Sequence, residues 1–153
     1  MTVVSERDIR RNFGRVWPAH VSQFASYLIE CRKHFRGDLD LLLLLAVIGD
    51  RTLVASKVRK SLTYAEFQNG NYVDFKPDEI NYQSVADFTG MPRESVRRKV
   101  KELIDIGWVQ RTEDGFLVAT QKAADDLAPL TEAGISYLAQ MAKVLQPDRA
   151  DAE

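Results

Sequence analysis

The sequence predicts a mainly α-helical fold carrying one small β-hairpin, and three observations predict it. Trp17, Val21, Phe24, Leu28, Cys31 and Phe35 recur at spacings of 4, 3, 4, 3 and 4, the signature of one helix face. Two short runs, Trp108 to Glu113 and Phe116 to Thr120, flank Asp114-Gly115, the strongest short hairpin signal. Between these regions come a short helical pattern, a glycine and a longer helical pattern that is apolar on one side and basic on the other. With 153 residues, 45% apolar and 28% charged, the chain suits one core and reads as a single domain over 1–153.

Residues 1 to 16 are charged and irregular apart from Phe13 and Val16, and read as an arm that packs only at its end. They contain no apolar h-region, so no signal peptide is expected. From Pro18 the strict spacing predicts an eighteen-residue helix whose heptad seam needs a partner helix. Ala25 and Ile29 widen the stripe enough to reach both a core and a second subunit, and Gly37 ends the helix. Asp38 then caps a helix containing Leu41 to Ile48, apolar all round and hence buried on most sides, which Gly49 closes. Thr52 is expected to cap a third helix with Val54, Val58 and Leu62 on one side and Lys57, Arg59 and Lys60 on a solvated other side. Residues 68–77, with turn signals at Asn69-Gly70 and Lys76-Pro77, read as a linker holding one short strand.

Asn81 to Ala119 is the most legible stretch. Asn81 suits the N-cap of a short helix, with Ile80 and Val85 at the two positions of a hydrophobic staple. Ala86, four residues before Gly90, permits close helix crossing, and Gly90 accepts the positive φ of a tight interhelical turn. Met91 plugs the core, Pro92 opens a second helix to Ile106, and Gly107 supplies its left-handed stop. Val96, Val100, Leu103 and Ile104 fall on one side of that helix, and Glu94, Arg97, Arg98 and Lys101 on the opposite side. Helix, turn, helix and hairpin together predict a winged helix-turn-helix. Such folds also serve as structural or protein-binding modules, but Arg93, Arg97, Arg98, Lys99 and Lys101 against the single acid Glu94 match what phosphate and guanine contacts require.

The segment resembles the DNA-binding domain of the cyclic-AMP receptor protein family, whose recognition helix opens with an Arg-Glu pair, a β-branched core residue and an Arg, here Arg93, Glu94, Val96 and Arg98. The resemblance covers about forty residues and implies that Arg93, Glu94 and Arg98 read base edges in the major groove. Arg97, Lys101 and the wing residue Arg111 are then expected to hold phosphates. Pro92 departs from that family, which usually has a capping Ser there. The family's nucleotide-binding β-roll has no counterpart in the first eighty residues, so no cyclic nucleotide or other cofactor is expected.

After the hairpin, Thr120 caps a helix through Leu127 that Pro129 interrupts or kinks, and a longer helix runs to about Leu145. Leu130, Ile135, Leu138, Ala142 and Leu145 make one row on it, and Tyr137, Met141 and Val144 a second. That apolar width either buries inside the monomer or, as the excess favours, forms a subunit interface. Residues 146–153 read as a disordered acidic end. The parts divide as a helical portion over 17–78, the winged motif over 79–120 and C-terminal helices over 121–146, flanking helices being dimerisation elements. In length and element order this resembles the dimeric repressors of the multiple-antibiotic-resistance regulator family, although the extra helix and linker between 50 and 78 depart from its spacing.

Several function classes find no support. Twenty-one Lys and Arg against twenty-two Asp and Glu exclude a charge-driven, histone-like binder, so nucleic-acid affinity must come from a local patch. His20 and His34 lack a strong metal partner at helical spacing, and no phosphate loop or nucleophile elbow occurs, so no enzyme is expected. The lone Cys31 excludes an intrachain disulfide, suits the cytoplasm, and sits in the seam as a buried inert thiol rather than a redox sensor. No apolar run reaches the length of a membrane span. The expectation is a homodimeric, sequence-specific regulator that binds double-stranded DNA. The alternatives are a winged protein-interaction module without DNA binding and a repressor answering a small-molecule effector in the dimer cleft.

Overall fold

The computed structural model describes residues 3–71 and 76–146. It is mainly helical with one two-stranded antiparallel sheet. In order, the elements are α1 (Glu6–Arg11), α2 (Phe13–His34), α3 (Leu39–Thr52), α4 (Tyr64–Gln68), α5 (Tyr82–Thr89), α6 (Arg93–Ile106), β1 (Val109–Arg111), β2 (Leu117–Ala119), α7 (Gln121–Asp126) and α8 (Ala128–Leu145). Two compact units contain them, one drawn from Met1–His34 and Pro129–Glu153, the other from Phe35–Ala128. The boundaries expected at 78 and 120 therefore fall inside the second unit. The strand expected within 68–77 and the acidic end beyond Gln146 lie outside the described residues.

In the first unit, the supposed arm contains α1. Ser5 and Asp8 close a capping box, with Ser5 N donating to Asp8 Oδ2 at 2.9 Å and Asp8 N to Ser5 Oγ at 3.3 Å. α2 starts at Phe13, five residues before the expected Pro18, which is carried inside the helix. A proline inside a helix crowds the carbonyl four residues back, here that of Gly14, and removes one backbone hydrogen bond. Phe13 stacks on Trp17, one turn on, at 5.4 Å between ring centroids. α8 carries Pro129 in its first turn, so the expected break is a clean separation of α7 from α8. α2 and α8 approach where Tyr27 lies against Gly134 and stacks on Tyr137 at 5.9 Å. Arg15 donates to the carbonyls of Val144 and Gln146, satisfying acceptors that the end of α8 leaves open.

Among the described residues of this unit, Val16, Cys31, Leu130 and Met141 are buried. The predicted seam divides: Cys31 is buried, Trp17, Val21 and Phe24 are exposed, and Phe35 falls past the end of α2, in the other unit's core. Ile135 and Leu138 of α8 are exposed as well. The seam residues thus do not all face one partner within the chain.

The second unit begins with Phe35, packed edge-on against Trp108 at 5.4 Å. Asp38 caps α3 as expected, accepting from Asp40 N at 3.0 Å. α3 then continues through Gly49 to Thr52, contrary to expectation. Thr52 ends this helix instead of starting the next: its hydroxyl donates to Ile48 O at 2.9 Å and accepts from Ala119 N at 2.9 Å, tying α3 to β2. With its cap committed there, the expected third helix is replaced by isolated turns through Leu62, such as Val58 N to Val54 O at 2.9 Å. Lys57 and Arg59, expected on a solvated face, pair with Asp78 at 2.8 Å and Glu66 at 3.0 Å. In the run Leu41 to Ile48, Leu41, Leu44, Leu45 and Ile48 are buried and Leu43 is exposed. A helix missed in the sequence, α4, is set by a Thr63–Glu66 capping box.

α3, α5 and α6 pack on one another, and the hairpin packs through β2 on α3 and through β1 on α6. The shared core includes Leu44, Ile48, Ile80, Val85, Val96, Val100, Leu103 and Leu117. The strands are shorter than predicted, pairing Val109 with Ala119 and Arg111 with Leu117. The connection is a three-residue loop closed by Gly115 N to Thr112 O at 2.9 Å and Thr112 N to Phe116 O at 2.7 Å. Only Gly115 in it has positive φ, +85°, so the turn is the type with a left-handed glycine third rather than a two-residue mirror turn.

Candidate functional site

The site is built on α6, and its two ends are set by local chemistry. Asn81 caps α5 by accepting from Ser84 N at 2.9 Å, and Gly90 ends it at φ 71°. Pro92 lies at the N-cap of α6 rather than inside its first turn, and it offers no capping side chain. Arg93 is therefore the first helical residue and Glu94 the second. Gly107, at φ 93°, ends the helix.

Val96, Val100 and Leu103 are fully buried and define the inner side of α6. Taking Val96 as zero at 100° per residue, Lys99 falls about 60° to one flank and Ile104 about 80° to the other. The structure follows that phase. Lys99 turns to α3, where its ammonium pairs with the N-cap carboxylate of Asp38 and is mostly buried, so it does not belong to the basic face as the sequence reading supposed. Ile104, read as core, is half-buried and lines the opposite flank. Lys99 holds the Asp38 carboxyl below its ordinary value by a direct hydrogen bond, with Lys99 charge and the Asp40 and Leu41 amides acting in the same sense.

On that flank Arg93, Glu94, Arg97, Arg98, Lys101 and Arg111 all line one open depression of about 520 Å³, together with Tyr82 and Ile104. The six candidate residues are exposed and converge from α6 and β1. Arg93, Arg97 and Arg98 have no ion pair or side-chain hydrogen bond among the described residues, whereas Lys101 pairs with Asp105 at 2.9 Å, which raises its pKa. A neighbouring depression joins Arg93 and Arg111 to Asn81, Tyr82 and the hairpin loop.

Alternation along β1 puts Arg111 on the same face as buried Val109, opposite Leu117. Arg111 is thus the outermost residue of the hairpin's inner face, which is why it reaches the depression. Its guanidinium lies over the ring of Tyr82, 5.5 Å from the centroid. Sequence reasoning missed Tyr82, although an aromatic residue directly after a helix cap is a usable signal for a fixed ring.

The cations of α6 run against its own dipole, although Glu94 in the first turn follows it. Cations stabilise a helix near its C-terminus and anions near its N-terminus, by about 0.3–1 kcal/mol each. α6 instead places Arg93, Arg97 and Arg98 in its first two turns and no basic residue in its last. Helix stability does not explain that order.

Elsewhere, the histidines are engaged: His20 Nδ1 meets Tyr137 Oη at 2.8 Å and His34 Nδ1 meets Glu30 O at 2.8 Å. Cys31 is buried, and that burial pushes its thiol pKa up. Among the described residues no group of His, Cys, Asp and Glu is placed to hold a metal ion, and no helix is long and apolar enough to cross a membrane. No protein-family model, curated protein or solved structure matches the chain.

Proposed function

We propose that this chain is a sequence-specific regulator that binds double-stranded DNA as a homodimer, with α5, α6 and the hairpin acting as a winged helix-turn-helix. One observation carries the reading: the groove that gathers Arg93, Arg97, Arg98, Lys101 and Arg111 around a single acid, Glu94. In this reading α6 enters the major groove. Arg93, Glu94 and Arg98 meet base edges, and Arg97, Lys101 and Arg111 meet phosphates. Glu94 is informative because a carboxylate beside phosphates is unfavourable unless it accepts from a base amino group, as cytosine offers. The second copy is drawn to Trp17, Val21 and Phe24 of α2, apolar residues at coiled-coil spacing that the single chain leaves exposed.

The test is selection of bound sequences from a random duplex pool, followed by comparison of the enriched site with random DNA. An enriched two-fold repeat is expected. Arg98→Ala should then remove roughly 1–3 kcal/mol of discrimination between the two DNAs. Equal binding of every duplex by the unaltered chain would reduce the groove to an electrostatic patch, and absence of duplex binding would overturn the proposal.

A further inference from the structure

Arg111 has two neighbours on the hairpin side of the groove, Tyr82 and Gly115. Tyr82 lies beneath its guanidinium at 5.5 Å, and Gly115 of the hairpin loop is also beside it, since a Cβ there would stand in van der Waals contact with Nη2 at 3.4 Å. Tyr82 is the first residue of α5, directly after the Asn81 cap, so its ring is anchored to a helix end rather than to a loop. The hairpin tip beyond Arg111 is Glu113 and Asp114, both exposed, and both repel a phosphate backbone. The stem therefore offers a cation where the tip offers only negative charge.

We propose that Tyr82 is a positioning residue that aims Arg111 at a DNA phosphate, an inference that rests on the DNA-binding reading above. A free arginine side chain loses much rotamer freedom when it contacts a phosphate. The ring face attracts the cation and pre-sets its direction, while the N–H groups at the guanidinium edge stay available to donate. Tyr82 and Arg93 line the same depression, so the arginine is aimed into the groove that α6 forms and not along the hairpin axis.

Anisotropy of a labelled random-sequence duplex across a salt series, for the full chain and its variants, tests this role. Arg111→Ala should weaken binding roughly tenfold and reduce the salt slope by about 0.9 per subunit. Tyr82→Leu should weaken binding on the order of threefold in the parent chain, the worth of an exposed cation–π contact, and not at all in the Arg111→Ala background. Tyr82→Phe keeps the ring and should bind as the parent does. An equal loss from Tyr82→Leu in both backgrounds would mean that Tyr82 acts independently of Arg111 and would overturn the proposal. So would a silent Arg111→Ala in a chain that binds duplex, or a loss from Tyr82→Phe as large as from Tyr82→Leu. A parent chain that binds no duplex overturns this role together with the DNA-binding reading, whereas parent binding with additive variants overturns this role alone.

Discussion

In the unit from Phe35 to Ala128, the side chains of Phe35, Leu44, Ile48, Ile80, Val85, Leu103 and Leu117 are at most 1% exposed. In the unit built from α1, α2 and α8, those of Trp17, Val21, Phe24, Ile135 and Leu138 keep between 39% and 65% of their surface. Layering accounts for the contrast. Three mutually packed helices and a hairpin give most of the apolar surface of the second unit a facing element, although Leu39, Leu43 and Phe88 stay exposed. Two long helices bury only the strip between them, and stripes as broad as those of α2 and α8 overrun that strip. One unit buries a core of its own, and the other leaves more of its apolar surface open, the surface to which the proposed function assigns a second copy.

The sharpest way to break this comparison is a pair of matched truncations. Leu103→Ala should cost about 2–5 kcal/mol in urea unfolding, because it opens a void among fully buried neighbours. Leu138→Ala removes the same atoms from an exposed site and should stay within about 0.5 kcal/mol in dilute solution. Equal losses would show that Leu138 is covered within the single chain.

Assembly provides the next test. Sedimentation should find the parent chain dimeric at micromolar concentration, and Val21→Glu with Leu138→Glu should yield a monomer of unchanged helix content. Both positions are at least half exposed, so the substitutions disturb no core. Leu145, at the end of the same α8 row, is a poorer choice because it lines a small cavity with Ile9 and Val16. A parent chain that is monomeric throughout would remove the second copy.

The smallest effect concerns the Asp38–Lys99 pair of the second unit. Asp38 has its folded pKa depressed below 3.8, first by the Lys99 hydrogen bond. Its contribution is complete above that ordinary value and is lost as pH falls through the lower folded one. Asp38→Asn keeps an N-cap oxygen but not the charge, so it should destabilise the chain modestly near neutral pH and remove part of the acid sensitivity. An unchanged pH profile would show that the pair is screened despite its burial.

Much of the second unit was legible because its signals are local. Asn81 caps, Gly90 and Gly107 accept positive φ, and Asp114-Gly115 reverses the chain, each through its own backbone preference. All six candidate site residues were legible too, from type and spacing on α6 and β1. Their convergence in one groove was not, because Arg111 gets there only through the register that pairs it with Leu117 and through the ring of Tyr82. The first unit was read less well. The α1 capping box lies outside the apolar pattern, and Pro18 reads as a helix start because a proline is disfavoured in a helix interior, whereas α2 runs through it.

What the sequence determined by itself is where helices and turns begin and end, and which faces are apolar or basic, since these depend on side chains within a turn or two of one another. The tertiary structure alone decided the fates of residues on the edges of those faces. Lys99 went to Asp38 and Ile104 to the groove, while Thr52 became a tie to β2 instead of a cap. The partner in each case lies far along the chain or on another element, and a helical phase angle states only which direction a side chain takes, not what stands there to meet it.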